Sequence, residues 1–254
     1  MRADQLLVDR GLAASRSQAQ RLIASGVDWR VDGLAFQPVR KNGEDLPLDA
    51  DLRLLDQAET RYVSRGGLKL ASALLQCGLD VSGLLCLDVG QSTGGFTHAL
   101  LHAGARHVVG LDVGHGQLHA DLRAHPQVTC IERLNARELQ VRDPRLGGQA
   151  FDLVVGDLSF ISLTLVMPAL IGQLRPQGQL LLLVKPQFEL QPGQLGKGGL
   201  VKDPDLYDAV RLRIDQSCQQ AGLSPCRWLD SPIAGGDGNR EFFIWTQMRD
   251  QIIG

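Results

Sequence analysis

The spacing of apolar residues along the chain changes character near residue 84. Before that point it is short and helical. Leu6 and Leu7 share one side of residues 4–11, which Gly11 stops. Ser15, with Gln18 three residues on, has the form of a capping box, and Ala19, Leu22 and Ile23 make an apolar face ending at Gly26. Residues 27–33 alternate and turn at Asp32-Gly33, predicting a short hairpin, and residues 52–55 add a small strand. Leu68, Leu70, Ala71, Leu74 and Leu75 trace a further helix up to Gly78.

After residue 84 strand and helix patterns alternate. Residues 84–87 are apolar on both faces, as a strand covered by helices on each side must be. Residues 107–112, 128–131, 151–157 and 179–184 repeat the pattern with helical stretches between them, the signature of a parallel sheet. Residues 226–229 and 242–245 complete the set, and Asp203-Pro204 opens a helix striped with Leu206, Val210, Ile214 and Cys218. The expectation is an α/β fold with a mostly parallel sheet, preceded by a smaller α+β unit.

The first strand runs into Asp88-Val89-Gly90-Gln91-Ser92-Thr93-Gly94-Gly95-Phe96-Thr97. Gly90, Gly94 and Gly95 let the backbone turn tightly and approach a ligand, while a helix from Phe96 points its free N–H groups back at the turn. The spacing differs from the dinucleotide fingerprint G-x-G-x-x-G. Asp112 ends the next strand, 22 residues after Gly90, where a carboxylate reaches ribose hydroxyls, and Asp157 ends the fourth. Two acids beside a glycine turn would repel a pyrophosphate but suit a ligand bearing positive charge and a ribose. S-adenosylmethionine fits this better than NAD, and a nicotinamide-dependent dehydrogenase on the same sheet is the alternative enzyme.

Composition narrows the picture. A length of 254 residues allows one large domain or two unequal ones, and 44% hydrophobic content supports a core. The net charge of −2 does not announce a nucleic-acid binder. Residues 1–59 hold 8 Lys/Arg against 10 Asp/Glu, so any basic patch there is local. The longest aliphatic run, 180–184, is too short to span a bilayer, and Met1-Arg2-Ala3-Asp4-Gln5 lacks the apolar core of a signal peptide. With 5 scattered cysteines and no C-x-x-C, reduced thiols and a cytoplasmic location are expected. All 6 histidines fall between 98 and 125, with His98/His102 and His115/His119 at a spacing that can bind zinc. No carboxylate–histidine motif accompanies them, so a solvent-facing set and no metal are expected.

Ser15, Arg16, Ser17, Ala19, Leu22, Ile23, Gly26, Val31, Asp32 and Gly33 together resemble the S-four-type RNA-binding module of a small-subunit ribosomal protein, pseudouridine synthases and tyrosyl-tRNA synthetases. The likeness implies that Arg16 and Arg21 project from the second helix toward RNA phosphates; Lys41 and Arg65 complete the candidate RNA-binding set. On this reading residues 1–59 form the RNA-binding domain, 60–64 a linker and 65–254 the catalytic domain.

Further motifs resemble one family across nearly the whole chain. They are Tyr62-Val63-Ser64-Arg65-Gly66-Gly67-Leu68-Lys69-Leu70, the glycine turn, Asp112-Val113-Gly114-x-Gly116-Gln117-Leu118, Asn135-Ala136-Arg137, Asp157-Leu158-Ser159-Phe160-Ile161-Ser162, Leu183-Val184-Lys185-Pro186-Gln187-Phe188-Glu189, Ser231-Pro232-Ile233 and Gly238-Asn239-Arg240-Glu241-Phe242. The family is TlyA, whose members, often called haemolysins, are ribosomal RNA cytidine 2′-O-methyltransferases with an FtsJ-like domain. The resemblance implies a Rossmann-like class I methyltransferase fold with a seven-stranded sheet, and a catalytic set of Lys69, Asp157, Lys185 and Glu241. It places S-adenosylmethionine against Asp88, Gly90, Gln91, Ser92, Gly94, Gly95, Asp112, Asn135 and Asp157. Gln91, His98 and His115 depart from the usual Ala, Asp and aromatic, which touches only fine contacts to the cofactor.

A ribose 2′-hydroxyl is a poor nucleophile and must lose its proton as it attacks. Lysine serves as the base if burial and a second ammonium lower its pKa; Asp157 and Glu241 pull the other way while holding ammonium and hydroxyl in place. Lys185 follows an apolar strand that Pro186 ends, which aims it at the crevice and makes it the candidate base. The expected target is a cytidine of 23S ribosomal RNA, with 16S as a second candidate, presented within a ribosomal subunit to a monomer that needs no protein partner or membrane. The short N-terminus resembles the subgroup acting on large-subunit RNA alone. A membrane-active haemolysin has no amphipathic cationic or transmembrane segment behind it.

Overall fold

The computed structural model describes residues 1–13, 15–55, 61–236 and 238–249, without the side chains of Ser25 and Cys226. Thr60, the first residue of the expected linker, lies outside the described residues. The chain divides into two compact units, Met1–Arg65 and Gly66–Gly254. The boundary thus falls after Arg65, and most of the stretch expected as linker belongs to the first unit.

In the first unit α1 (Ala3–Asp9) and α2 (Arg16–Gly26) pack on an antiparallel sheet of β1 (Val27–Arg30), β2 (Gln37–Pro38) and β3 (Asp51–Leu54), in the order β2-β1-β3. Ser15 Oγ accepts the Gln18 N–H at 3.3 Å and so starts α2. Asp32-Gly33 does turn the chain: the Leu34 N–H donates to Val31 O at 3.0 Å and Gly33 takes φ +79°. It does not close the expected two-residue hairpin, because β2 begins only at Gln37. The longer partner of β1 is β3, which sets Val27 opposite Leu54 and Trp29 opposite Leu52 in the core cluster. Burial of these residues overrides the local turn.

Asp4, fully buried, accepts hydrogen bonds from the side chains of Arg2, Arg16 and Gln20 at 3.0–3.1 Å. The Arg2 guanidinium holds this carboxyl well below the usual range. Arg16, expected to point at RNA, is therefore also a tether between the two helices, since a buried carboxylate needs partners.

In the second unit α3 (Arg65–Cys77) leads to a seven-stranded sheet in the order β6-β5-β4-β7-β8-β10-β9. Its strands are β4 (Leu85–Val89), β5 (His107–Asp112), β6 (Val128–Glu132), β7 (Phe151–Gly156), β8 (Leu174–Val184), β9 (Leu223–Asp230) and β10 (Phe242–Met248). Strands β4 to β8 pair in parallel, whereas β10 runs antiparallel to both β8 and β9. The helices are α4 (Gly95–His102), α5 (Ala120–Arg123), α6 (Leu163–Ile171), α7 (Pro186–Glu189) and α8 (Asp205–Gln220). Leu85, Leu87 and Val89 join a core with Met167 and Leu170 of α6 and Val210 and Ile214 of α8. On the other face Phe96 of α4 stacks on Phe243, with centroids 6.1 Å apart. β4 is buried at every position, which is why its sequence shows no alternation.

Two elements departed from the pattern. β8 begins at Leu174, before the expected 179, and bends at Gln177, where φ is +61°. α6 is apolar nearly all round and contains Pro168, so no helical period announced it. Among the described residues no helix is long and apolar enough to cross a membrane.

Candidate active site

The carboxyl ends of the parallel strands open into a cleft of about 490 Å³, a size suited to a small-molecule ligand. Gly90, with φ +81°, stands where β4 leaves the sheet; a Cβ there would lie 2.7 Å from the carbonyl oxygen of Asp157. The approach is fixed by the Asp157 N–H, which donates to Val89 O at 3.0 Å. Gly94, with φ +95°, precedes α4, where a Cβ would collide with Leu118 and Leu122. Asp112 accepts the N–H groups of Ser92 and Gly114 at 2.8 and 2.7 Å, so backbone amides on both sides orient its carboxylate.

Of the expected cofactor residues, Gly90, Ser92, Asp112, Asn135 and Asp157 line the cleft. Asp88, Gln91, Gly94 and Gly95 do not: they are buried and support the turn rather than form the wall. Asp88 Oδ2 accepts the Thr97 hydroxyl at 2.7 Å, and Thr97 Oγ1 accepts Gln91 Nε2 at 2.9 Å. The Gln91 amide occupies the space that a Cβ on Gly110 would need. Asp88 Oδ1 accepts no hydrogen bond. Burial pushes the Asp88 carboxyl up to about 7, with Asp157 and Asp112 adding to the rise and Thr97 opposing it. Membership of a glycine motif does not say which side chains face the ligand. Gln117, Leu134, Leu158, Ser159, Phe160 and Ile161 also line the cleft and were not foreseen. The motif around Asp157 was the available signal for Ser159, but the left-handed backbone of Phe160, φ +63°, has none in the sequence.

Beside this cleft stand two lysine–carboxylate pairs. Lys69 Nζ donates to Glu241 Oε2 at 2.5 Å, and both residues are buried. Lys185 Nζ lies 2.6 Å from Asp157 Oδ1 and donates to Ser159 Oγ at 2.8 Å. Phe242 pairs with Val184, which sets Glu241 just before one strand opposite Lys185 just after the other. Burial pushes the Glu241 carboxyl up, Lys69 and Lys185 draw it down and Asp157 raises it again. All four expected catalytic residues therefore share one electrostatic neighbourhood.

The expected RNA-binding residues differ in their surroundings. Arg16 pairs with Asp4, Arg21 donates to Ser17 O at 3.1 Å, Lys41 is exposed after β2, and Arg65 is half-buried at the start of α3. Among the histidines, His102, His115 and His119 are exposed, and His98 packs edge-on against His102. Among the described residues no three His, Cys, Asp or Glu side chains are placed to hold a metal ion.

Comparison with known proteins agrees with this geometry. The FtsJ-like methyltransferase family matches residues 62–248. The 16S/23S rRNA (cytidine-2′-O)-methyltransferase TlyA of Mycobacterium tuberculosis is 46% identical over 246 residues, covering 97% of this chain and 89% of the relative. The 23S rRNA (cytidine-2′-O)-methyltransferase TlyA of Campylobacter jejuni is 34% identical over 205 residues, covering 80% of this chain and 78% of the relative. A solved structure from Streptococcus thermophilus bearing a hemolysin name superposes with a TM-score of 0.75 at 35% identity, covering 99% of this chain and 91% of that one.

Two measurements bear on the cleft and its support. Asp112→Ala weakens S-adenosylmethionine binding by roughly 1.5–3 kcal/mol, the worth of hydrogen bonds to a charged group, as calorimetry can read; unchanged affinity with an intact fold removes Asp112 from the site. Asp88 has a raised folded-state pKa, so its contribution to stability is present below its ordinary value of 3.8 and is lost as pH rises through about 7. In urea unfolding without cofactor, wild type and Asp88→Asn converge near pH 4, and the variant is the more stable by pH 8. A variant less stable at pH 8 shows that the buried carboxylate is compensated.

Proposed function

The chain belongs to the TlyA family of FtsJ-like methyltransferases and uses S-adenosylmethionine, and from that premise we propose that it methylates a cytidine 2′-hydroxyl in ribosomal RNA, 23S foremost and 16S second. The observation that carries this reading is the joining of Lys69–Glu241 and Lys185–Asp157 beside a cleft that Asp157 also lines.

S-adenosylmethionine supplies a methyl group made electrophilic by its sulfonium. Asp112 would hold the ribose diol, and Asp157 with the Gly90 turn would face the positively charged end. Leu134, Leu158 and Ile161 offer apolar wall to a flat ring. Lys185 takes the proton from the acceptor hydroxyl, while Asp157, which lines the cleft, keeps it close by. Lys69, braced on Glu241, turns its remaining N–H groups to the acceptor oxygen and offsets charge building there. A dinucleotide suits the cleft less well, because its walls carry two carboxylates and, among the described residues, no basic side chain. Arg21 and Lys41 of the first unit would grip phosphates of the RNA within a ribosomal subunit. The protein is proposed to act as a monomer in the cytoplasm.

Lys185→Ala lowers the methyl-transfer rate by about 10²–10⁴, the worth of a positioned base, while S-adenosylmethionine affinity barely changes. Lys185→Arg fails as well, since a guanidinium keeps its proton near neutral pH; near-full activity of the arginine variant makes Lys185 a charge stabiliser and moves the base elsewhere. Arg21→Glu combined with Lys41→Glu weakens binding to ribosomal RNA and flattens its salt dependence, with cofactor affinity intact. Arg16 is left out of that pair because its loss would also strip Asp4 of a partner. Wild-type methylation of ribosomal subunits by the double variant gives the first unit another role.

A further inference from the structure

A base must offer a lone pair, not only a charge. With Lys185 as that base, the reading on which the role of Ser159 rests, the direction of its lone pair matters. Neutral lysine has two N–H bonds and one lone pair on a nitrogen free to spin about its terminal bond. Asp157 Oδ1, 2.6 Å away, engages one side of that nitrogen, and one contact alone leaves the lone pair two places to point. Ser159 Oγ accepts a hydrogen bond from Lys185 Nζ at 2.8 Å. Ser159 also lines the cleft, while the Lys185 side chain behind it is only 12% exposed. We propose that Ser159 is a positioning residue for methyl transfer: by accepting one Lys185 N–H while Asp157 engages the other, it turns the lone pair toward the acceptor hydroxyl.

The hydroxyl can act this way because its loop is clamped at both ends. At one end the Asp157 N–H donates to Val89 O. At the other, buried Glu189 accepts the Ser162 hydroxyl at 2.5 Å and the Leu163 N–H at 2.7 Å. Lys185 caps the start of α7 and Glu189 is its last residue, so the two short segments 157–163 and 185–189 are joined at two points. Phe160 lies between these points and packs on Phe188, with centroids 5.1 Å apart. A serine on such a loop has little freedom to follow a rotating amine; the amine aligns to it.

In the step itself the acceptor O–H bond breaks and its proton goes to the Lys185 lone pair. The oxygen's electron pair forms the new O–CH₃ bond as the S–CH₃ pair returns to sulfur. Positive charge thus passes from sulfonium to ammonium, which keeps its hydrogen bond to Ser159 and its contact with Asp157. Ser159 therefore has two separable effects. It aligns the neutral amine, and it favours the protonated form by accepting from it.

The test is the pH profile of methyl transfer to unmodified ribosomal subunits at saturating S-adenosylmethionine, for wild type, Ser159→Ala and Ser159→Thr. The other charged groups facing Lys185 are Asp157 from the end of β7 and Glu241 ahead of β10, with Lys69 of α3 paired to the latter; all are unchanged in these variants. Ser159→Ala is expected to lower the high-pH plateau by roughly tenfold through lost orientation, while the rising limb moves to lower pH by up to about one unit. Ser159→Thr, which keeps the hydroxyl, restores both. A lowered plateau with an unmoved limb, or no rescue by threonine, overturns the inference and leaves Ser159 a packing residue. Near-full activity of Lys185→Arg, measured alongside, overturns instead the base assignment on which it rests.

Discussion

A lysine and a glutamate 172 residues apart in sequence meet where almost no water reaches either. Burying one such ion without its partner costs on the order of several kcal/mol. Wherever α3 and the start of β10 go, they must therefore go together. This constrains the sheet. Strands β4 to β8 all run one way, so their carboxyl ends share an edge. Residue 241 precedes its strand, and it reaches that edge only because β10 runs antiparallel to β8. The reversed strand is what completes the catalytic corner.

Asp157 couples the two halves of that corner. Its backbone N–H holds the end of β7 to β4, its carbonyl comes close to Gly90, and its carboxylate touches Lys185. The glycine turn and Lys185 at the end of β8 are thereby kept at a defined separation without meeting directly. Behind the turn, the chain from Gln91 through Thr97 to Asp88 and the collision that any side chain at Gly94 would make hold the loop from inside. Orientation arises from supports that the ligand does not touch.

The first unit solves a different problem with the same physics. Over residues 1–65 acidic and basic residues balance at 10 each, so overall charge gives this unit no pull on a polyanion. Part of its basic complement is paired within the unit: Arg2 and Arg16 serve Asp4, and Arg30 and Arg53 pair with Asp51 and Asp28 while lying over the Phe36 ring.

Apolar period and turn chemistry are local properties, and they were legible in the sequence alone. The runs of residues 84–87 and 107–112 read as buried strands, Ser15 as a cap, and Gly90 with Asp112 as a ligand turn with an acid in reach. The grouping of Lys69, Asp157, Lys185 and Glu241 was legible only through its motifs, because each of those residues alone could equally have been a surface charge. Pairing and facing are not local, and the fold decided them. It turned β10 antiparallel and preferred β3 over β2 as the main partner of β1. It sealed Asp88 and Gln91 behind the turn they belong to, and it drew Arg16 onto Asp4. α6 stayed hidden because an all-apolar helix has no polar face to mark its period. In each case the outcome depends on what is buried against what, and that is settled only when distant segments close around one core.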